Sequence, residues 1–158
     1  KTGPQLIEYN CRFGDPECQV MLLRLESDLV ELLSACAENR LGAIEPPKFS
    51  SDVALTVVMA GEGYPGEPKK GGVIEGVEAA EASGAKVFHA GTKLAADGAL
   101  LANGGRVLNV TARGSSVSEA QQRAYAAVDA LDAPDLFCRR DIGWREVKRE
   151  SNSAVRSR

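Results

Sequence analysis

Glu8, Asn10 and Arg12 fall on one side of residues 5–12 and Ile7, Tyr9 and Cys11 on the other if that segment is extended, because successive side chains of a strand point to opposite faces. At about 3.3 Å of rise per residue, Glu8 and Asn10 leave the backbone about 6.6 Å apart, close enough for their oxygens to converge on one hard cation. Magnesium fits best. It takes oxygen ligands in near-octahedral geometry and is held by one or two protein groups, with phosphates and water completing the shell. The Glu8 carboxylate supplies charge and the Asn10 amide oxygen a neutral donor. Arg12, next on the same face, is a planar cationic fork suited to a phosphate or carboxylate. An amphipathic edge strand with a solvated polar face reads the same way, since Glu-x-Asn is a short motif.

The residues that follow favour a site. Phe13 and Gly14 make a turn, and Asp15-Pro16-Glu17 has the makings of a helix start: an acceptor at the N-cap, proline at the first helical position and an acid in the first turn. Capping alone accounts for Asp15. A polar strand that turns sharply into an acidic helix start nevertheless makes a concave corner of the kind that holds substrate groups. Two acids there repel an anion and favour an amine, so Asp15 is the candidate for orienting one.

The elements that must position this corner come after it. Leu29, Leu32, Leu33 and Cys36 form the stripe of an amphipathic helix, with Asp28 and Glu31 in its first turn, and are expected in the core against a sheet. Residues 42–51, with Pro46 and Pro47, break the pattern and mark a boundary to a second unit. Val53, Leu55, Val57 and Met59 alternate as a strand. A short helix over residues 74–82, stopped at Gly84, precedes a strand at residues 85–90. The turn signals Asp97-Gly98 and Asn103-Gly104 predict antiparallel pairing of Leu100 and Leu101 with residues 107–110. Ser116-Val117-Ser118-Glu119 is a capping box opening a helix lined by Val117, Ala120, Ala124, Val128 and Leu131. Arg139, Arg140, Asp141 and Arg145 read as a local salt-bridge cluster, and the polar residues 148–158 as a frayed tail.

Two features are decoys. Gly61-Glu62-Gly63-Tyr64-Pro65-Gly66 matches the dinucleotide fingerprint letter for letter. That fingerprint needs a helix to open within the loop, and Pro65, Pro68 and the Gly71-Gly72 pair forbid one. Glu67 also stands where a Walker loop needs lysine. His89, the single histidine, has no adjacent nucleophile and reads as a hydrogen-bonded structural residue.

Composition sets the outer limits. The 158 residues are 44% hydrophobic and 26% charged, the profile of a globular chain. Nineteen basic against 22 acidic side chains give a net charge of -3 and a pI near 5.3, which argues against nucleic acid as a main partner. No apolar run approaches the roughly 20 residues that cross a bilayer. Cys11, Cys18, Cys36 and Cys138 lack the close-spaced pairs of a structural zinc site and are expected as free buried thiols of a reducing compartment. The opening residues lead straight into a polar, strand-like segment with nothing before it to pair with, so the chain is expected to be the C-terminal part of a longer polypeptide.

The run Ile7-Glu8-Tyr9-Asn10-Cys11-Arg12-Phe13-Gly14-Asp15-Pro16-Glu17-Cys18-Gln19 resembles the end of the ATP-grasp module of the phosphoribosylamine-glycine ligases, or glycinamide ribonucleotide synthetases. The likeness continues in the family's order through Gly63-Tyr64-Pro65-Gly66, Phe88-His89-Ala90-Gly91-Thr92, Asn103-Gly104-Gly105-Arg106-Val107-Leu108, Ala120-Gln121-Gln122-Arg123-Ala124-Tyr125 and Arg139-Arg140-Asp141-Ile142-Gly143-Trp144-Arg145. It covers nearly everything from Leu6 to about Val147. One such run is moderately specific; the ordered set is strong.

The resemblance implies an α+β chain. Residues 1–45 would be the C-terminal end of an ATP-grasp domain, residues 50–147 a small mixed, mainly antiparallel domain with packed helices, and residues 148–158 a polar tail. It implies a ligase of purine biosynthesis that joins glycine to 5-phosphoribosylamine, with Mg²⁺ (or Mn²⁺) and ATP as co-substrate, through a glycyl phosphate. Glu8 and Asn10 would hold the metal, while Arg12 and Asp15 would serve the reaction. It further implies a cytoplasmic or plastid monomer and a piece inactive alone. A different ATP-grasp carboxylate-amine ligase and a non-catalytic interaction module are the other readings.

Overall fold

A computed structural model describes residues 3–156, with side chains through residue 152. The centre is a four-stranded antiparallel sheet in the order β2-β5-β1-β6. Its strands are β1 (Val53–Gly61), β2 (Lys86–His89), β5 (Arg106–Gly114) and β6 (Leu136–Cys138). A separate two-stranded hairpin pairs β3 (Thr92–Leu94) with β4 (Leu100–Ala102). The helices are α1 (Glu17–Arg24), α2 (Leu29–Ala37), α3 (Val77–Ala82), α4 (Val117–Asp129) and α5 (Trp144–Arg156). A small mixed domain built on an antiparallel sheet is what the sequence led us to expect.

The two faces of the sheet differ. On one, Leu55, Val57 and Met59 of β1 lie opposite Ala112, Val110 and Leu108 of β5, and all six are buried. Ala120, Ala124, Ala127 and Val128 bring α4 down onto this face. The three alanines are wholly buried, and their small size permits the close approach expected from the sequence. Each fully buried valine or leucine here contributes about 1.5–3 kcal/mol. The other face carries Thr56, Val58 and Ala60 opposite Thr111, Asn109 and Arg106. Thr56 and Thr111 join hydroxyls at 2.8 Å. Helix α1 lies against β1 and β5. Pro16 at its start lines a cavity with Thr56, Val58 and Ala60, which sets the start of α1 opposite α4.

Helix α4 is capped as the sequence indicated, with Ser116 Oγ accepting from the Glu119 amide at 3.1 Å. The returning carboxylate differs. Glu119 Oε2 accepts from the amide and hydroxyl of Ser115, each at 2.7 Å. A second cap comes from α5, where the Glu150 carboxylate accepts from the amides of Val117 at 2.8 Å and Ser118 at 3.1 Å. Residues 148–156 are therefore helical, not frayed, because the negative end of Glu150 meets the orphan N–H groups of another helix; residues 157 and 158 lie outside the described residues.

Three further expectations are corrected. Residues 100–102 pair with β3 through the Asp97-Gly98 turn, whereas β5 pairs with β2 and β1, so Asn103-Gly104 does not close a hairpin. Gly91 and Gly104 meet backbone to backbone there: a Cβ on Gly91 would sit 2.7 Å from Gly104 Cα. Helix α2 starts on Asp28, whose carboxylate accepts from Val30 and Glu31, yet only Ala35 of it is buried and Leu33 is 48% exposed. Leu33 and Cys36 of its stripe thus stay outside the core. Residues 44–52 are irregular, as the prolines imply, and residues 48–50 run beside the end of α1, with Ser50 N donating to Arg24 O at 2.8 Å. The cysteines are free, but Cys11 and Cys36 are exposed and Cys18 and Cys138 half-buried, since the segments bearing the first two do not enter the core.

Candidate active site

Residues 5–12 do not form a strand. Ile7 and Tyr9, on the apolar side of the alternation, are 94% and 80% exposed. Alternation supplies only the side-chain pattern; a strand also needs a ladder for its amides and carbonyls, and residues 5–12 belong to no sheet among the described residues. The alternation still places Glu8 and Asn10 together. Asn10 Nδ2 donates to Glu8 Oε1 at 3.1 Å, with both residues exposed.

This pair would fit a hard divalent cation with the Asn10 amide turned so that Oδ1, in place of Nδ2, faces the Glu8 carboxylate. One carboxylate and one amide are the donor types magnesium takes, and their exposure leaves room for water and phosphate oxygens to complete six-fold coordination. Among the described residues no group of three or more His, Cys, Asp or Glu could hold a metal. Arg12 folds onto its own turn, Nη1 donating to Phe13 O at 2.8 Å.

Asp15 is not the cap expected from the sequence. Helix α1 begins at Glu17 with Pro16 in the N-cap position and no side-chain cap, and the Gly14 carbonyl accepts from Cys18 N at 2.8 Å. Because the backbone makes that first turn, the Asp15 carboxylate is released for another partner: Arg106 Nη2 lies 2.7 Å from Asp15 Oδ2. Arg106 Nη1 also approaches Asp15 O at 3.4 Å. Sequence reasoning gave Arg106 no role. The available signal was its position two residues before buried Leu108 in a strand, where strict alternation would put a guanidinium in the core.

Beside this contact lies a cavity of about 360 Å³, with Val58, Ala60, Phe137 and Ile142 on its walls and Tyr64, Arg106 and Arg139 among its lining residues. Tyr64 belongs to the loop with the decoy glycine pattern, which contains turns and no helix, as the prolines required. Its ring packs against Gly105, where a Cβ would come within 2.6 Å of Cδ2. The Arg139 side is braced by α4. The Tyr125 hydroxyl donates to Arg139 O at 2.8 Å and accepts from Ile142 N at 3.0 Å, and Gln121 Nε2 donates to Ile142 O at 2.6 Å. Of the expected local salt-bridge cluster, Arg139 pairs with Asp141 at 2.8 Å, whereas Arg140 reaches Asp129 of α4 at 2.6 Å and Arg145 lies over the Trp144 ring. Hydrogen bonding from Arg139 holds the Asp141 carboxyl below its usual range, and burial pushes the Cys138 thiol up. His89 is exposed, with Nδ1 3.2 Å from the Thr92 hydroxyl, a local hydrogen bond between residues three apart in the chain.

The fold and corner together define a small α/β domain of an antiparallel sheet, preceded by a polar, carboxylate-bearing segment. Residues 54–145 match the family described as "Phosphoribosylglycinamide synthetase, C domain", and the chain belongs to that family. It is 60% identical over 96% of its length to a phosphoribosylamine–glycine ligase of Mesorhizobium japonicum, covering 35% of that protein. It is 53% identical over 95% of its length to the Escherichia coli ligase of the same name, again covering 35%. The chloroplastic ligase of Arabidopsis thaliana is 51% identical over 95% of the chain, which covers 29% of it. A crystal structure of the Thermotoga maritima ligase superimposes with a TM-score of 0.67 at 34% identity, over 87% of this chain and 33% of that one. The chain thus spans about a third of the length of the relatives it matches. Among the described residues no helix is long and apolar enough to cross a membrane.

Proposed function

We propose that this chain is the C-terminal part of a phosphoribosylamine-glycine ligase, in which residues 1–45 end an ATP-grasp domain and the sheet domain follows. The whole enzyme would join glycine to 5-phosphoribosylamine, giving glycinamide ribonucleotide, ADP and phosphate. The observation that carries the reading is the family match over residues 54–145, and the contact of the Glu8 and Asn10 side chains, joined by an Nδ2–Oε1 hydrogen bond at 3.1 Å, supports it.

The chemistry suits those residues. A glycine carboxylate is a poor electrophile, so its oxygen takes the terminal phosphoryl group of ATP and ADP leaves. The ribosylamine nitrogen then attacks the glycyl phosphate carbonyl, loses a proton, and expels phosphate. Bound magnesium (or manganese) would supply charge to offset that developing on the phosphate oxygens. Glu8 and Asn10 would hold it. Arg12, turned away from Phe13 O, would steady the phosphoryl group or a substrate anion. Asp15 would orient the amine. No side chain here needs to act as a covalent nucleophile, and the contribution is positioning plus electrostatics. The protein would work as a monomer in the cytoplasm or a plastid, and the 158-residue piece alone would be inactive.

The test is a graft. This chain is exchanged for the matched third of the Escherichia coli relative, and formation of glycinamide ribonucleotide is assayed alongside the isolated chain. The expected result is magnesium-dependent ligase activity in the graft and none in the chain. A soluble, folded graft without activity, or a chain that turns over on its own, contradicts the proposal.

A further inference from the structure

From the register of β5 we infer that Arg106 is a positioning residue, turned out of the core by a β-bulge so that it fixes Asp15 and, with it, the corner that precedes α1. Up to Met59↔Leu108 the ladder between β1 and β5 is regular; the next pair is Ala60↔Arg106. Val107 is therefore an extra residue on β5, and Val107 and Leu108 are both wholly buried in the core although adjacent in sequence. In strict alternation Arg106 would share the core face of Leu108, two residues on; with the bulge it joins Thr56, Val58 and Ala60 on the opposite face and lines the cavity there. Re-aiming a side chain beside a site is what bulges do.

The backbone of Arg106 is held from both sides. Its carbonyl accepts from Gly91 N at 3.0 Å, and the preceding Gly105 carbonyl accepts from Gly61 N at 2.9 Å. Close approach at Gly91 and Gly104, and of Tyr64 to Gly105, leaves no space for a Cβ at any of the three. A rigid platform thus presents the guanidinium to Asp15 Oδ2 at 2.7 Å, across 91 positions of sequence. The assignment of a reaction to Asp15 rests on the ligase reading; the fastening of Asp15 by Arg106 does not.

Two arms separate these. In the 158-residue chain, amide hydrogen exchange at Gly14, Asp15 and Cys18 is compared for the unaltered protein, Arg106→Gln, Arg106→Lys and Asp15→Asn, with Val110 as the control for folding. Arg106→Gln is expected to speed exchange about two- to fivefold, the size of a half-exposed ion pair. Asp15→Asn should do the same, the double variant no more than either alone, and Arg106→Lys should restore most of the protection. In the graft, Arg106→Gln is expected to raise KM for the amine about two- to fivefold with kcat little changed, and Arg106→Lys to rescue it. Unchanged exchange in folded Arg106→Gln, or strictly additive effects, overturns the fastening. Normal exchange effects with an unchanged amine KM in an active graft overturn the positioning role. A graft inactive before any substitution contradicts the ligase reading instead, and the exchange arm alone then decides whether Arg106 holds Asp15.

Discussion

Asp15 and Arg106 pair at 2.7 Å and so fasten the turn before α1 to the sheet. This contact ties an otherwise irregular polar segment to a rigid scaffold. The cavity that Pro16 and Arg106 both line lies beside it.

The core beneath α4 is expected to be intolerant of lost volume. Leu108 is wholly buried, so Leu108→Ala should cost about 2–5 kcal/mol. At roughly 2–4 °C per kcal/mol for a chain of this size, thermal denaturation should show a fall in Tm of about 4–20 °C. A loss under about 2 °C would mean that this side chain is not packed as described.

The N-terminus of α4 is capped twice, by Ser116 and by Glu150 of α5. Ser116→Ala should cost about 1 kcal/mol. Glu150→Gln removes the charge from two amide bonds and should weaken the same turn, so the pair should be non-additive. Denaturant melts of the two single variants and the double check this. Full additivity would show that Glu150 does not act on α4.

Asn109 is 2% exposed, and its Oδ1 has no hydrogen-bond partner among the described residues. Leaving such a group buried costs about 1–3 kcal/mol. Asn109→Leu should therefore be neutral or raise Tm despite its larger apolar reach into the face under α1. A clear loss of stability would show that the oxygen is satisfied, for instance by a bound water.

Acidification should destabilise the chain. Hydrogen bonds from the Ser115 hydroxyl and amide depress Glu119, Lys86 depresses Glu81, and Arg139 depresses Asp141. A carboxylate whose folded value lies below its unfolded one contributes stability that is fully present above the unfolded value and is lost as pH falls through the folded value. Tm should stay flat from about pH 7 to 5 and decline below the ordinary carboxylate range of about 3.9–4.3. Because all three sit near the surface, 1 M salt should shrink the contribution of the Glu81 and Asp141 ion pairs. A Tm that rises on acidification would contradict the assignment.

Much of the sheet domain was legible because its signals are local. The alternation of Val53 to Met59, the Ser116 cap and the alanine face of α4 are set by period and capping, and each is seen. Residues 5–12 were misread as a strand and the stripe of α2 as core for one shared reason. Periodicity reports which side chains share a face and is silent on whether anything covers that face. The pairing of β4 was missed because a turn signal cannot say which strand lies across it. Arg106 was hidden by the bulge at Val107: a one-residue insertion exchanges the faces of a strand and leaves no mark in composition. At the candidate corner the meeting of Glu8 with Asn10 followed from their two-residue spacing, whereas the partner of Asp15 lay 91 residues away, beyond any local rule.

The most direct test of the account is the magnesium dependence of ligase turnover in the graft with and without Glu8→Ala. The unaltered graft should make glycinamide ribonucleotide only with magnesium, and Glu8→Ala should lower kcat/KM at least about 100-fold, the several kcal/mol that a positioned metal supplies. A Glu8→Ala graft with unaltered turnover and an unaltered magnesium requirement would contradict it.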